Sequence, residues 1–157
     1  MKFLLPLISF TLLSLVGAGQ VKDELESTLT NLYGESENII KDNAVKNLLS
    51  AGTKLLPVLS TRFTDNTISK VYSTCAGRYL TRGELAIIVA DHIEGMPYFQ
   101  LTGLQNCTLE SCPNNPNFVE YYLEFLRFRG MYKVFQKKYE EWLQSADRKK
   151  WHPQQVN

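Results

Sequence analysis

Side chains able to perform acid–base chemistry are few and widely separated in this sequence. The chain has two histidines, His92 and His152, and only His92 has a carboxyl group beside it, on Asp91. On a helix, adjacent side chains diverge by about 100°, so this pair does not form a catalytic dyad. A histidine near a helix C-terminus is favoured there by the helix dipole. We therefore predict no catalytic residue.

Metal and phosphate sites are not indicated either. Two distant histidines and three cysteines without zinc spacing do not form a ligand set. The glycines are scattered and form no phosphate-binding loop. We expect no metal and no cofactor.

The three cysteines indicate a disulfide in an oxidising compartment. Cys107 and Cys112 bracket a four-residue loop and are the easiest pair to close. Cys75 with either of them is the alternative, and its longer loop would stabilise the fold more in the chain-entropy model. Since the count is odd, the remaining cysteine allows a disulfide-linked dimer. Asn106 begins the sequon Asn-Cys-Thr and is the predicted glycosylation site.

Aromatic side chains in the second half of the chain are the candidate ligand-binding residues. Tyrosine and tryptophan combine an apolar ring with a polar handle, as the lining of a small-molecule pocket requires. The same residues could equally fill a core. The six candidates are Tyr98, Phe99, Tyr121, Phe125, Tyr132 and Phe135.

The N-terminus predicts secretion. Lys2 precedes an apolar run over residues 3–16, and small residues follow at 16–19, so residues 1–18 are typical of a cleaved signal peptide. The apolar run is shorter than the roughly 20 residues that a membrane span needs. We expect a secreted protein with no membrane span, one globular domain over residues 20–146, and a polar basic tail or last short strand over 147–157.

Charge argues against nucleic-acid binding. Without Lys2, the chain has 16 basic and 16 acidic residues, whereas nucleic-acid binders have a basic excess. The balance is local, however, because residues 127–150 contain eight basic and three acidic residues. This basic segment is either a solvated face or a contact for acidic polysaccharide or lipid head groups.

Periodicity predicts helices first and strands later. Apolar spacing indicates a helix over 21–33 and a second over about 35–51, with Asp42 capping its latter part. Residues 68–75 are rich in β-branched and aromatic side chains and suit a strand. Thr81 and Glu84 form a capping-box pattern before a helix that Gly95 and Pro97 end, and residues 98–109 alternate in part as a strand does. This order favours an α+β domain.

The stretch over 117–142 fits two structures. As one helix it carries an aromatic repeat on one face, with Gly130 inside it. As a β-hairpin it alternates well up to Phe125 and poorly after Met131, with a turn at Gly130. The helical alternative gives an all-α fold with one long amphipathic helix over 117–144.

A resemblance favours the α+β fold. The strand ending Cys75-Ala76-Gly77-Arg78-Tyr79, followed by Thr81-Arg82-Gly83-Glu84-Leu85, is similar to small secreted domains of the nuclear transport factor two-like superfamily. Its specific part lies within residues 68–93. The resemblance implies N-terminal helices packed in a curved antiparallel sheet, a cone whose mouth often holds a small apolar ligand and sometimes an isomerase or cyclase site.

We therefore expect a secreted, non-catalytic domain that binds a small hydrophobic molecule or a protein partner. An isomerase- or cyclase-type enzyme using the same cone pocket is one alternative. An all-helical lipid carrier is another, and it requires the all-α fold.

Overall fold

The computed structural model describes residues 13–105 and 115–151, with side chains from residue 19 onward. These residues combine helices with one three-stranded sheet, which confirms the predicted α+β class. The α-helices are α1 (Leu13–Asn31), α2 (Asn43–Ser50), α3 (Leu56–Ser60), α4 (Arg82–Ile93), α5 (Tyr98–Thr102), α6 (Glu120–Phe128) and α7 (Tyr132–Gln144). The strands are β1 (Tyr33–Glu35), β2 (Ile68–Ser73) and β3 (Arg78–Thr81), and short 3-10 helices lie at Ser36–Lys41, Gly52–Leu55 and Arg148–Lys150.

Helix α4 is the centre of the described core. All residues from Gly83 to Ala90 are buried, and a helix buried on every side needs neighbours all round it. Helices α1, α2 and α3 and strand β3 contact it. The predicted capping box starts the helix: the Thr81 hydroxyl accepts from the Glu84 N–H, and the Glu84 carboxylate accepts from the Thr81 N–H.

Gly83 lets the first turn of α4 approach the preceding loop. A Cβ at this position would lie 2.7 Å from the carbonyl oxygen of Phe63 and 2.9 Å from those of Arg62 and Asp65. The Gly83 N–H donates to the Asp65 carbonyl at 2.9 Å. Because these neighbours are backbone atoms, only glycine fits without moving the chain.

The sheet has the order β1-β2-β3. Strands β2 and β3 are antiparallel, and Gly77 in their connection has a φ of 65°. Strand β1 pairs with β2 in parallel, with Tyr33 opposite Lys70 and Glu35 opposite Tyr72. A parallel pair requires a crossover connection, which here contains α2 and α3. The prediction of a wholly antiparallel sheet is therefore wrong for the β1–β2 pair.

The two predicted N-terminal helices are found in part, because α1 ends at Asn31 and residues 33–35 form strand β1. Helix α1 buries Leu25 and Leu29, as their spacing predicts, and Leu32, directly after the helix, is buried as well. The second predicted helix is divided, because a 3-10 helix precedes α2. Asp42 separates the two parts and caps α2 as predicted, with its carboxylate accepting from the Ala44 N–H at 2.7 Å.

The strand predicted over 98–109 is wrong in its described part, 98–105, because residues 98–102 form helix α5. Pro97 precedes this single turn, and Gly103, with a φ of 77°, ends it. The Gly103 N–H donates to the Phe99 carbonyl at 2.8 Å. A run this short does not distinguish a helical turn from a strand by periodicity.

Residues 117–142 form neither a β-hairpin nor one helix over 117–144, so both predicted forms are wrong. Gly130 takes a φ of 63° and separates α6 from α7. Its N–H donates to the Arg127 carbonyl at 3.1 Å, and the Met131 N–H donates to the Leu126 carbonyl at 2.8 Å. These two bonds are the Schellman motif that ends a helix at glycine.

The segment after α7 folds back onto the end of α4. Arg148 donates to the Glu94 carboxylate at 2.8 Å, and the Trp151 indole N–H donates to the Gly95 carbonyl at 2.6 Å. The Trp151 ring also meets Trp142 edge-on, with centroids 6.4 Å apart. As far as Trp151 this segment is thus a docked 3-10 turn and not the strand or tail predicted over 147–157.

Candidate functional site

The six predicted ligand-binding aromatic residues lie in different environments. Tyr98 stacks on Tyr122, with ring centroids 4.3 Å apart and planes within 5°. Phe118 meets the edge of Tyr98 at 5.3 Å and that of Tyr121 at 5.4 Å. The structure thus brings Tyr98 and Tyr121 together through a ring, Phe118, that was not among the candidates.

The other four candidates have different partners. Phe135 is fully buried and contacts Phe63, with centroids 5.9 Å apart. Tyr132 donates its hydroxyl to the Glu84 carboxylate. Phe125 lies beneath the Arg129 guanidinium at 5.9 Å, and Phe99 is exposed. Phe135 therefore serves the core, and the six side chains have no shared set of contacts.

A buried carboxylate, Glu84, is tied to strand β3. Arg78 donates to both of its oxygens, at 2.6 Å and 2.8 Å. Burial alone would raise the pKa of Glu84, but the hydrogen bonds from Arg78, from Tyr132 and from the Thr81 N–H outweigh it and lower the pKa. The hydrogen bonds to Glu84 also raise the pKa of Arg78. This ion pair joins α4 to the sheet and has no spare acceptor for a substrate.

A second carboxylate, Asp91, is hydrogen-bonded to one of the stacked tyrosines, Tyr98. It accepts from the Met96 N–H at 2.9 Å and from the Tyr98 hydroxyl. Burial raises the pKa of Asp91, and these hydrogen bonds offset only part of that effect. Burial also raises the pKa of Tyr98 above its ordinary range and that of Tyr122 to about 12.

His92 belongs to a separate polar network. Its Nε2 lies 2.7 Å from the Asn117 Oδ1. Asn117 donates to the Ser36 carbonyl at 2.7 Å and to the Glu120 carboxylate at 2.8 Å, and Ser73 donates to the other Glu120 oxygen. Asp91 and His92 thus have different hydrogen-bond partners.

An exposed apolar surface, unlike these buried groups, lies on the outer face of the sheet. Of the seven large hydrophobic side chains that the described residues expose, four are here. Their exposed fractions are 78% for Tyr33, 65% for Ile68, 54% for Tyr79 and 38% for Tyr72. We call this surface, together with Glu35 and Lys70 in the same register, the tyrosine face.

Strand pairing positions the tyrosine face. Tyr72 lies opposite Tyr79 across the antiparallel pair, and their rings meet edge-to-face with centroids 5.4 Å apart. Tyr33 is opposite Lys70 on the other side of β2. Strand β2 alternates between exposed and buried residues, so Ile68 projects on the same side as Tyr72. Sequence reasoning identified the strand but missed this surface. The available signal was the alternation of Ile68, Lys70 and Tyr72.

Predicted modifications lie mostly outside the described residues. Asn106, Cys107 and Cys112 belong to the undescribed segment 106–114, so the glycosylation and the disulfide stay predictions. Cys75 is half-buried after β2. Within residues 13–105 and 115–151, no group of three or more His, Cys, Asp or Glu side chains could hold a metal ion. No helix in that part of the chain is both long and apolar enough to cross a membrane.

Comparison of the chain with protein-family models, with curated proteins and with solved structures gives no match in any of the three.

Proposed function

We propose that this chain is a secreted, non-catalytic binding domain that recognises a partner protein through its tyrosine face. The observation that carries the proposal is the exposure of Tyr33, Ile68, Tyr72 and Tyr79 on one side of a small sheet. Clustered exposed apolar side chains mark interaction sites, whereas single ones are ordinary. Tyrosine in particular is enriched at protein interfaces, where its ring is buried and its hydroxyl finds a partner.

The charges on the face favour a protein partner over a polyanion. Lys70 lies beside Tyr33, and Glu35 lies beside Tyr72, so the surface carries one charge of each sign. A polyanion would be repelled by Glu35 and attracted by Lys70 alone. The partner we propose presents an apolar patch with an acidic group facing Lys70 and a basic group facing Glu35.

The buried carboxylates Glu84 and Glu120 also favour binding over catalysis as the function of this chain. Glu84 and Glu120 each have hydrogen-bond donors on both carboxylate oxygens. An isomerase- or cyclase-type enzyme needs a base that can reach a substrate proton. The cone pocket, the small apolar ligand and membership of the nuclear transport factor two-like superfamily stay predictions.

The test uses the fluorescently labelled chain and intact cells of the organism that makes it. We expect saturable binding to the cell surface. Mild protease treatment of the cells should abolish the part of it that depends on the tyrosine face, because the partner is a protein. The variant with Tyr33→Ser, Tyr72→Ser and Tyr79→Ser should bind at least about tenfold more weakly, since buried tyrosines dominate interface energies.

The matched control is Phe99→Ser, which removes an aromatic ring that is 59% exposed but lies outside the face. It should bind as the unmodified chain does. Equal binding by the triple variant would overturn the proposal. So would a difference between the unmodified chain and the triple variant that survives protease treatment of the cells.

A further inference from the structure

The junction between α6 and α7 carries a second exposed aromatic residue in a different electrostatic setting. Phe128 is the most exposed large hydrophobic side chain of the described residues, at 88%. Residues 127–130 are all exposed, so its two neighbours in sequence, Arg127 and Arg129, also lie in water.

The surrounding sequence is strongly basic. Between Phe125 and Tyr139 there are five basic residues and no acidic one. Three of them are Lys133, Lys137 and Lys138, on the first turns of α7, and the first two of these lysines are exposed. Lys133 has the exposed apolar residue Val134 beside it. Together Phe128, Val134 and the five basic residues form what we call the basic junction.

Little within the described chain neutralises this charge. Arg127 lies 3.4 Å from the Glu124 carboxylate and Lys137 lies 3.8 Å from that of Glu141. Exposed pairs at these separations are weak. Arg129, Lys133 and Lys138 form no ion pair with the described residues.

We infer that the basic junction binds the surface of anionic lipid membranes. Lysine and arginine side chains near such a surface attract acidic head groups, each with about 1 kcal/mol. An apolar ring among them enters the boundary between head groups and acyl chains. The Schellman motif at Gly130 gives the inference a structural basis, because it holds the Arg127, Phe128 and Arg129 side chains at the exposed end of a helix. This surface is separate in sequence from the tyrosine face, so either proposal can fail alone.

Co-sedimentation of the full chain with vesicles tests the inference. We expect binding to phosphatidylcholine vesicles containing about 30% phosphatidylserine, little binding to pure phosphatidylcholine, and a decrease as salt is raised. The variant Phe128→Ser should bind about tenfold more weakly, because its ring no longer leaves water. Arg129→Gln with Lys133→Gln should reduce binding about 25-fold, at about fivefold for each charge.

Lys46→Gln with Lys54→Gln is the charge-matched control and should bind vesicles normally, because these exposed lysines lie outside the basic junction. In Phe128→Trp, brominated lipids should quench fluorescence beyond the contribution of Trp142 and Trp151, which reports insertion directly. Absence of binding to the anionic vesicles overturns the inference, as does equal binding by Phe128→Ser. Binding to soluble heparin without binding to vesicles would also overturn it and assign the basic junction to a polyanion.

Discussion

Strand β2 has polar side chains on its buried face and large apolar side chains on its exposed face, the reverse of the usual arrangement. Its buried face has Ser69 and Ser73 on either side of Val71, whereas its exposed face has Ile68 and Tyr72. If hydrophobic burial alone decided, the face with Ile68 and Tyr72 would be buried and the face with the two serines exposed. Hydrogen bonds explain why this is not so, because a buried hydroxyl is stable only where partners are in place.

The buried serines have such partners. Ser69 donates to the Leu80 carbonyl at 2.8 Å and accepts from the Val71 N–H at 3.1 Å. Ser73 donates to Glu120 and accepts from the Ala76 N–H at 3.0 Å. The inner face therefore holds the sheet to the rest of the chain. The outer face has no comparable structural role, and that difference is why we assign recognition to it.

The largest test of this difference is Glu84→Ala, beneath the sheet. In this variant the partly buried Arg78 loses its buried carboxylate partner and keeps only the more exposed one, Glu124. Removing one partner of a buried ion pair costs about 3 kcal/mol or more of unfolding free energy. Urea denaturation should show this loss. Glu124→Ala, at the exposed partner, should cost less than about 1 kcal/mol, and similar losses in the two variants would contradict the comparison.

The pH dependence of stability also tests the contribution of the Arg78–Glu84 ion pair. Because the folded pKa of Glu84 lies below its ordinary value of 4.5, its ionised form stabilises the fold above that value. The contribution is lost as pH falls through 4.5 towards the folded pKa. The stability gap between the unmodified chain and Glu84→Gln should therefore shrink on acidification below this point. A gap that stays constant down to acid unfolding would contradict the role given to the ion pair.

Ser73→Ala should have an intermediate effect. It removes a donor to the buried Glu120 carboxylate and an acceptor for the Ala76 N–H, so we expect a loss of about 1–2 kcal/mol. Thr74→Ala changes the exposed neighbour, whose hydroxyl donates to Glu37, and should cost less than about 0.5 kcal/mol. Chemical denaturation of the two variants measures both losses. Equal losses would contradict the larger structural role given to the buried serine.

These faces also explain how far the sequence predicts the structure. The Asp42 cap, the Thr81–Glu84 capping box and the β2 strand follow from local chemistry and were predicted. The choice of buried face was not predictable, because the partner of Ser73 is Glu120, distant in sequence. The same limit applies at Gly130, where a positive φ divides a sequence that is periodic on both sides. The tyrosine face was missed because it consists mainly of apolar residues, and hydrophobic periodicity predicts that such residues are buried.

Tyr72→Ser, on the tyrosine face, should lower stability less than Glu84→Ala or Ser73→Ala, although binding should change most there. Tyr72→Ser removes an edge-to-face contact with Tyr79, and such cross-strand aromatic pairs contribute about 0.2–1 kcal/mol. The variant should therefore unfold within about 1 kcal/mol of the unmodified chain while losing affinity for the cell surface. Denaturation and binding must be measured on the same preparation. A large loss of stability would mean that the outer face holds the sheet together. The outer face would then have a structural role like that of the inner serines, and its exposure would no longer support a role in recognition.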